Sequence, residues 1–315
     1  MIRYLANKIP QVLVVLFVSS LIAAVLPRLT PGDPAVAIAG PDSSKETIET
    51  IRAQLGLDRP FHEQYLDWLG GLFRGDLGHS YLLNRPVGEL IASRLESTVE
   101  LALLAGLLMT VIGLVLGVLA GSPRSRWSRA LLDLLTTFYL AVPGFLHGLL
   151  MILVLGISLV VLPVSGEVPL SQNPEIGIQY LIMPALALAF GPAAVVARLV
   201  QTAMVQVRGE EYIDLAVAKG VPATRITLRH VLRNSVGTAI VALGLRIGDL
   251  LAGAIVIEAI FARNGLGSLA VMAVNGHDYQ VLQVIIVGAI FIAVVAQLLT
   301  EVILAMLDPR IRLGD

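Results

Sequence analysis

The chain has 315 residues, of which 56% are hydrophobic and 14% charged, with a formal net charge of −1. A soluble domain carries about 25% charged residues, so this much apolar surface, at a mean hydropathy of +0.83, points to a bilayer as solvent. The near-neutral balance excludes a chain that binds nucleic acid through its overall charge. The absence of cysteine excludes disulfides, thiolate metal sites and a cysteine nucleophile.

A membrane-crossing helix needs about 20 apolar residues. The first candidate covers 9–29; its apolar run, Ile9 to Leu26, has no closing A-x-A site and outlasts a secretory core, so it is read as an uncleaved span. Residues 30–96 form a polar segment. In it, "SSKETIETIRAQLGL" predicts an amphipathic helix with Ser43 or Ser44 as N-cap and Leu55-Gly56 as its stop. "PFHEQYLDWLGGLFRG" follows with Phe61, Tyr65, Trp68, Leu69 and Leu72 on one helical face, the pattern of a small cap on a bundle or membrane surface.

Five further spans are predicted at 98–121, 130–162, 178–205, 235–260 and 280–306. The second carries Gly106, Gly113, Gly117 and Gly121, and the fifth Gly244, Gly248 and Gly253; the four-residue spacing suits close helix packing rather than gating. Pro143 and Gly144 predict a kink in the third, and Pro184 and Pro192 a bend in the fourth. The fold class is therefore an all-α polytopic membrane protein: residues 1–29 as N-terminus and first helix, 30–96 as an external segment, and 97–315 as a five-helix core with a loop at 206–234.

Orientation follows the basic residues of short loops. Arg124, Arg126 and Arg129 lie in 122–129; Arg208, Lys219, Arg225, Arg229 and Arg233 in 206–234; Arg3 and Lys8 near the start; Arg310 and Arg312 in the tail. Residues 163–177 hold two Glu and no Lys or Arg. Both termini are then expected in the cytoplasm, with 30–96 outside.

The loop at 206–234 is no simple turn. "GEEYIDLAVAK" places acids early and Lys late, as a helix dipole favours. Gly220 ends it, and "ATRITLRHVLRN" reads as a second helix with Ile226, Leu228, Val231 and Leu232 on a partly apolar side. Two short helices at a sharp turn make a charged knob suited to receive force from a soluble partner.

The pattern E-x-Y-I-x-x-A-x-A-K-G followed by R-x-x-x-R-H-x-L-x-N resembles the cytoplasmic coupling loop of ABC-importer permeases, more narrowly the first (B-type) permease of the dipeptide/oligopeptide/nickel family. "LPRLTPGDPA" at 26–35, "LGLDRPFHEQYLDWL" at 55–69, "GDLGHSY" at 75–81 and "PVGELIASRLESTVELAL" at 86–103 resemble its external segment in order. "VIEAIFARNGLGSLAVMAV" at 256–274, "HDYQVLQ" at 277–283 and "LDPRIR" at 307–312 extend the likeness to the tail. The resemblance implies a non-catalytic subunit of a bacterial inner-membrane importer. It implies a homologous second permease, two ATP-binding subunits that carry the ATP and Mg, and an external substrate-binding protein. It implies short peptides as cargo, with nickel or another small solute as the alternative. Glu211, Tyr212, Asp214, Ala216, Ala218, Lys219 and Gly220 would form the coupling helix, with Arg229 and His230 on the helix after it. Asp214 stands where the wider superfamily carries Glu, Val217 where Arg is common, and Arg233 where Pro is frequent, so the loop is expected to run smoothly into span five.

Arg246 and Asp249 in span five are three apart and able to pair; with Glu258 they are candidate polar residues of a translocation path. The alternative for Arg246 and Asp249 is an internal ion pair that holds the bundle, and for Glu258, near the outer end of the span, a structural cap. The five histidines, His62, His79, His147, His230 and His277, show no metal-ligand spacing, and no phosphate-binding G-x-x-x-x-G-K-[ST] occurs. No cofactor is therefore expected in this chain. An intramembrane enzyme would need a nucleophile, and Ser165 in "PVSGE" has no partner base nearby in sequence. A self-contained secondary transporter lacks an evident inverted repeat.

Overall fold

The computed structural model describes residues 2–29, 32–40, 42–122 and 125–307, and within them the side chains of all but 2–7, 26, 27, 126, 304, 305 and 307. The side chains of Arg3, Arg124, Arg126, Arg310 and Arg312, and nearly all of the tail motif at 307–312, lie outside these. In chain order the helices are α1 (Ile2–Leu29), α2 (Pro34–Ala39), α3 (Lys45–Gln54), α4 (Phe61–Phe73), α5 (Val87–Gly121), α6 (Arg126–Ala141), α7 (Gly144–Met151), α8 (Pro174–Arg208), α9 (Glu211–Ala218), α10 (Ala223–Arg225), α11 (Leu232–Ile260), α12 (Leu266–Asn275) and α13 (Tyr279–Leu307). Wider π-helical turns follow α7 (Ile152–Ser158) and α10 (Ile226–Val231). Among the described residues there is no strand, only a bridge between His79 and Pro86.

Five helices are long and apolar enough to cross a membrane, and the bent pair α6 and α7 makes a sixth crossing if it counts as one. That pair bears out the expected kink, which is large: the helix is bent by 103°. Val142, at φ −91° and ψ 124°, leaves the helical region ahead of Pro143, where the proline ring disfavours it. Pro184 and Pro192, by contrast, sit inside an unbroken α8.

The chain forms two compact units. The first comprises 100–261 and the end of α13 from Val295. Its centre is α8, with fifteen buried residues, Ala187, Ala193, Val196, Val200 and Met204 among them. The C-terminal half of α5 lies on it at backbone distance. A Cβ added at Gly113 would meet Val196 Cβ at 2.9 Å, one at Gly117 the Ala197 carbonyl at 2.8 Å, and one at Gly121 Met204 Cβ at 2.9 Å. The glycine spacing is thus a packing stripe.

The second unit comprises 2–99 and 262–294. Ser44 caps α3 by accepting from the Thr47 amide at 3.2 Å, and Gly56 follows the helix at φ +64°. Tyr65 and Trp68 of α4 bury against Ala24 of α1, with Phe61, Leu69, Leu72 and Val287 around them, so the predicted face packs on helices. Asp278, 1% exposed, accepts from Ser80 Oγ at 2.5 Å and from the Leu82 amide at 3.2 Å. Arg263, 2% exposed, donates to the Ser97 carbonyl at 3.2 Å, and the Leu266 amide donates to Thr98 Oγ1 at 2.8 Å.

Gly117→Ala should destabilise the first unit by about 1–3 kcal/mol, since the added methyl meets backbone that cannot yield. Gly248→Ala is the control, with nothing within 4 Å of its added Cβ. Thermal unfolding of the detergent-solubilised chain should show a lower Tm for the first and an unchanged Tm for the second.

Candidate coupling loop and polar path

The loop after α8 is a helical elbow built from the first unit alone. Gly209 ends α8, and α9 starts at Glu211 with Glu211 and Asp214 in its first turn, where the dipole favours acids. Gly220, at φ +74°, reverses the chain after Lys219, a backbone shape that costs any residue with a Cβ. Ile213 is buried and joins Ile226, Val231 and Met204 in the main apolar cluster, with Ala216 and Val221 half-buried against it. One face of α9 is therefore fixed to the body of the unit.

The other face projects outward. Glu211, Asp214, Ala218, Lys219 and Gly220 are exposed. So are three bulky apolar residues, Tyr212 at 42%, Leu215 at 56% and Val217 at 59%. Asn234 Nδ2 donates to Tyr212 Oη at 2.7 Å and to the His230 carbonyl at 2.9 Å, tying the predicted residues of both limbs together. Arg229 is exposed. The second limb is not a separate short helix: α10, the π turn and α11 run on as one 38-residue stretch, Ala223–Ile260. Arg233 in place of a helix breaker accounts for this continuity.

The base of the elbow is held by a residue that the loop motif does not contain. Arg208 donates to the Gly121 carbonyl at 3.0 Å through Nε and to Thr227 Oγ1 at 2.8 Å through its terminal nitrogen. The ends of α5 and α8 and the π turn meet at this one guanidinium.

Arg246 and Asp249 form an ion pair at 2.6 Å on α11. Asp249 opens onto a cavity of about 410 Å³ shared with Tyr139, Pro143, Gly191, Gly253 and Ile257. Glu258 is fully buried and stands apart from that lining. Two further polar pairs escape the sequence reading. Arg198 of α8 donates to Thr137 Oγ1 at 2.8 Å, and Gln201 Nε2 to Asp133 Oδ1 of α6 at 3.5 Å. The signal was present, because a charge inside an apolar span is itself unusual. His147 sits against Phe138, Tyr139 and Phe190 with ring centroids 5.5 to 5.6 Å away. Among the described residues no cluster of three or more His, Asp or Glu could hold a metal ion.

Residues 113–313 match the family described as binding-protein-dependent transport system inner membrane component, and residues 1–102 match the N-terminal family of the same membrane components. The chain belongs to this family. It is an ABC-importer permease subunit, a multi-pass protein of the inner membrane, as the sequence motifs implied. A Brucella abortus protein whose name assigns it to a peptide transport system as a permease is 35% identical over 314 residues, 99% of each chain. The glutathione transport system permease GsiC of Escherichia coli K12 is 34% identical over 312 residues, again 99% of each. The fold is shared with a chain of the MetNI methionine ABC transporter in inward-facing conformations, at TM-score 0.59 and 18% identity, over 70% of this chain and 96% of that one.

Gly220→Ala should strain the elbow by about 1–2 kcal/mol, the cost of a side chain in the left-handed region. Amide hydrogen exchange of this permease should rise several-fold over 211–219 and stay unchanged at the centre of α8.

Proposed function

We propose that this permease forms half of a pathway for short peptides and that α9 is the element through which ATP-binding subunits move it. The observation that carries the reading is the two-faced α9. Ile213 and Ala216 anchor one side, while Tyr212, Leu215 and Val217 leave apolar area exposed among Glu211, Asp214 and Lys219. A desolvated apolar centre with charged surroundings is how a protein surface receives a partner. Glu211, Asp214 and Lys219 supply register and steering; Ala218 and Gly220 allow close approach, and Arg229 and His230 border the contact from the second limb.

On this reading two ATP-binding subunits engage the elbow of this chain and that of a homologous second permease. An external binding protein delivers cargo to the opposite side, and both termini of this chain lie in the cytoplasm. The chain itself is non-catalytic; ATP and Mg reside on the partners. Closure of the ATPase pair displaces the elbows and shifts the pathway between two accessible states. Arg246 and Asp249, with Arg198 and Asp133, supply the polar lining, and the burial of Glu258 suits a bracing role. The names of the peptide and glutathione relatives support peptidic cargo.

Leu215→Arg should reduce co-purification of the ATP-binding subunits at least tenfold without changing membrane insertion or Tm. Unchanged co-purification would remove α9 from the interface. In the reconstituted transporter with its binding protein, ATP hydrolysis should rise with di- to octapeptides. A response to nickel and none to peptides would overturn the cargo assignment.

A further inference from the structure

Helix α4 carries more apolar surface than its own unit covers. At about 100° per residue, Trp68, Phe61, Leu72, Tyr65 and Leu69 follow one another around its circumference, and Phe73 and Leu66 extend the same arc. His62, in the first turn, is the one polar side chain within it. Tyr65 and Trp68 are buried against Ala24 of α1, and Phe61, Leu69 and Leu72 pack around them with Val287 of α13. Leu66, by contrast, is 61% exposed and Phe73 84%. Next on the arc, a Cβ added at Gly70 would meet nothing within 4 Å. The rest of the circumference is polar. Glu63, Asp67 and Arg74 are exposed there, and Arg59 pairs with Glu63 at 3.2 Å and with Asp67 at 2.7 Å.

Singly exposed apolar residues are ordinary on a protein surface; the depth at which α4 is fastened sets these two apart. The Tyr65 hydroxyl and Ser20 Oγ share a buried hydrogen bond of 2.8 Å. Ser20 stands in the apolar stretch Lys8–Val25 of α1, five residues before its end, which at 1.5 Å per residue is about 7.5 Å inside it. Ala24 lies in the same stretch, and Val287 in the stretch Tyr279–Ile303 of α13. Both ends of α4 come back to the ends of these helices. The Phe61 ring centre lies 5.0 Å from the Arg28 guanidinium, and a Cβ added at Gly78, shortly past the other end, would meet Gln280 Oε1 at 2.9 Å. α4 therefore lies across α1 and α13 rather than along them. Helices that lie in the plane of a bilayer sink about 5–10 Å into the boundary between headgroups and acyl chains. α4 is held at that level, and α1 exposes Phe17 and Ile22, on either side of Ser20 in the chain, to the same surroundings.

We propose that α4 is an interfacial helix whose second partner is lipid. Leu66 and Phe73 enter the acyl boundary of the leaflet on the side of residues 30–96, while Glu63, Asp67 and Arg74 face water. Tyr65 and Trp68 suit this level, because rings with one polar end collect at membrane interfaces. Two side chains fall far short of the roughly 800 Å² per side that a stable protein interface buries, whereas lipid sets no such minimum. The assignment holds for any cargo and for either orientation of the chain.

The chain has no cysteine, so a single introduced thiol carries a nitroxide label at one site. In phosphatidylcholine–phosphatidylglycerol nanodiscs, labels on the full chain at Leu66→Cys and Phe73→Cys should collide with oxygen and be shielded from a water-soluble nickel chelate. Their oxygen-to-nickel collision ratio should be at least fivefold above that at Arg74→Cys or at Glu49→Cys, an exposed position on α3. Leu13→Cys on α1, where Leu13 is 60% exposed, gives the lipid reference. The same ratios should hold in the reconstituted transporter, with and without its binding protein, and the Tm of each labelled variant checks folding. Labels at 66 and 73 as open to nickel as the one at 49 would put this flank in water and overturn the proposal. Immobile labels shielded from both reagents would overturn it too, since they mean a protein cover: the binding protein if shielding follows its addition, another permease chain otherwise.

Discussion

Close approach of two backbones organises the first unit. Between helices in lipid no hydrophobic effect draws apolar surfaces together, so packing distance matters most. Gly113, Gly117 and Gly121 let α5 reach the carbonyls and Cβ atoms of α8 directly, and α8 has fifteen of its 35 residues buried. The stripe ends at Gly121, whose carbonyl takes the Arg208 hydrogen bond. The same guanidinium holds Thr227 in the π turn of the elbow. This close helix contact and the loop that projects from the unit therefore share a fastening point.

The elbow's two limbs differ mechanically. α9 is short and held by Ile213 on one side and the Tyr212–Asn234 hydrogen bond on the other. The second limb is continuous with α11, so movement of Ala223–Arg225 passes into a membrane-length helix without a joint. Along that helix lies the Arg246–Asp249 pair beside the cavity at the α6–α7 break. Arg246 Nε is buried without a hydrogen-bond partner, and an unmatched buried donor costs free energy in this arrangement. The π turn at Ile226–Val231 lies in the second limb of the elbow itself, and such turns often mark function.

Much of this was legible in the chain because the signals are local. Hydropathy over 20 residues finds the spans. Ser44, Leu55-Gly56 and Gly220 announce their roles through side-chain or backbone chemistry that depends on a few neighbours. The spacing of Arg246 and Asp249 already put them on one helical face. The 103° break was visible as Pro143 but not in size, because a hydropathy window counts apolar residues on either side of a corner alike. The continuity of α10 with α11 follows from Arg233, yet the intervening π turn has no sequence signature. Arg208, Asp133 and Arg198 acquire meaning only from partners 19 to 87 residues away, and no periodicity reports such pairings.

The second unit shows why motifs far apart in the chain travel together. "GDLGHSY" and "HDYQVLQ" are separated by almost the whole core, yet Ser80 and Asp278 come from them and meet at 2.5 Å. The "FARNGLG" stretch supplies Arg263 and Leu266, which bind Ser97 and Thr98 of "SRLESTVE". Burying a carboxylate or a guanidinium is costly unless its hydrogen bonds are filled. Asp278 and Arg263 therefore fix the conformation of the loops that supply their partners. Each motif carries one half of a buried polar contact and is of no use alone. Replacing Ser80 by an apolar residue would remove one of the hydrogen bonds to a carboxylate buried inside the unit, a larger penalty than loss of a surface hydrogen bond. The polar segment between the first two spans is held as an integral part of the unit by these two ionisable residues as well as by the apolar face of α4.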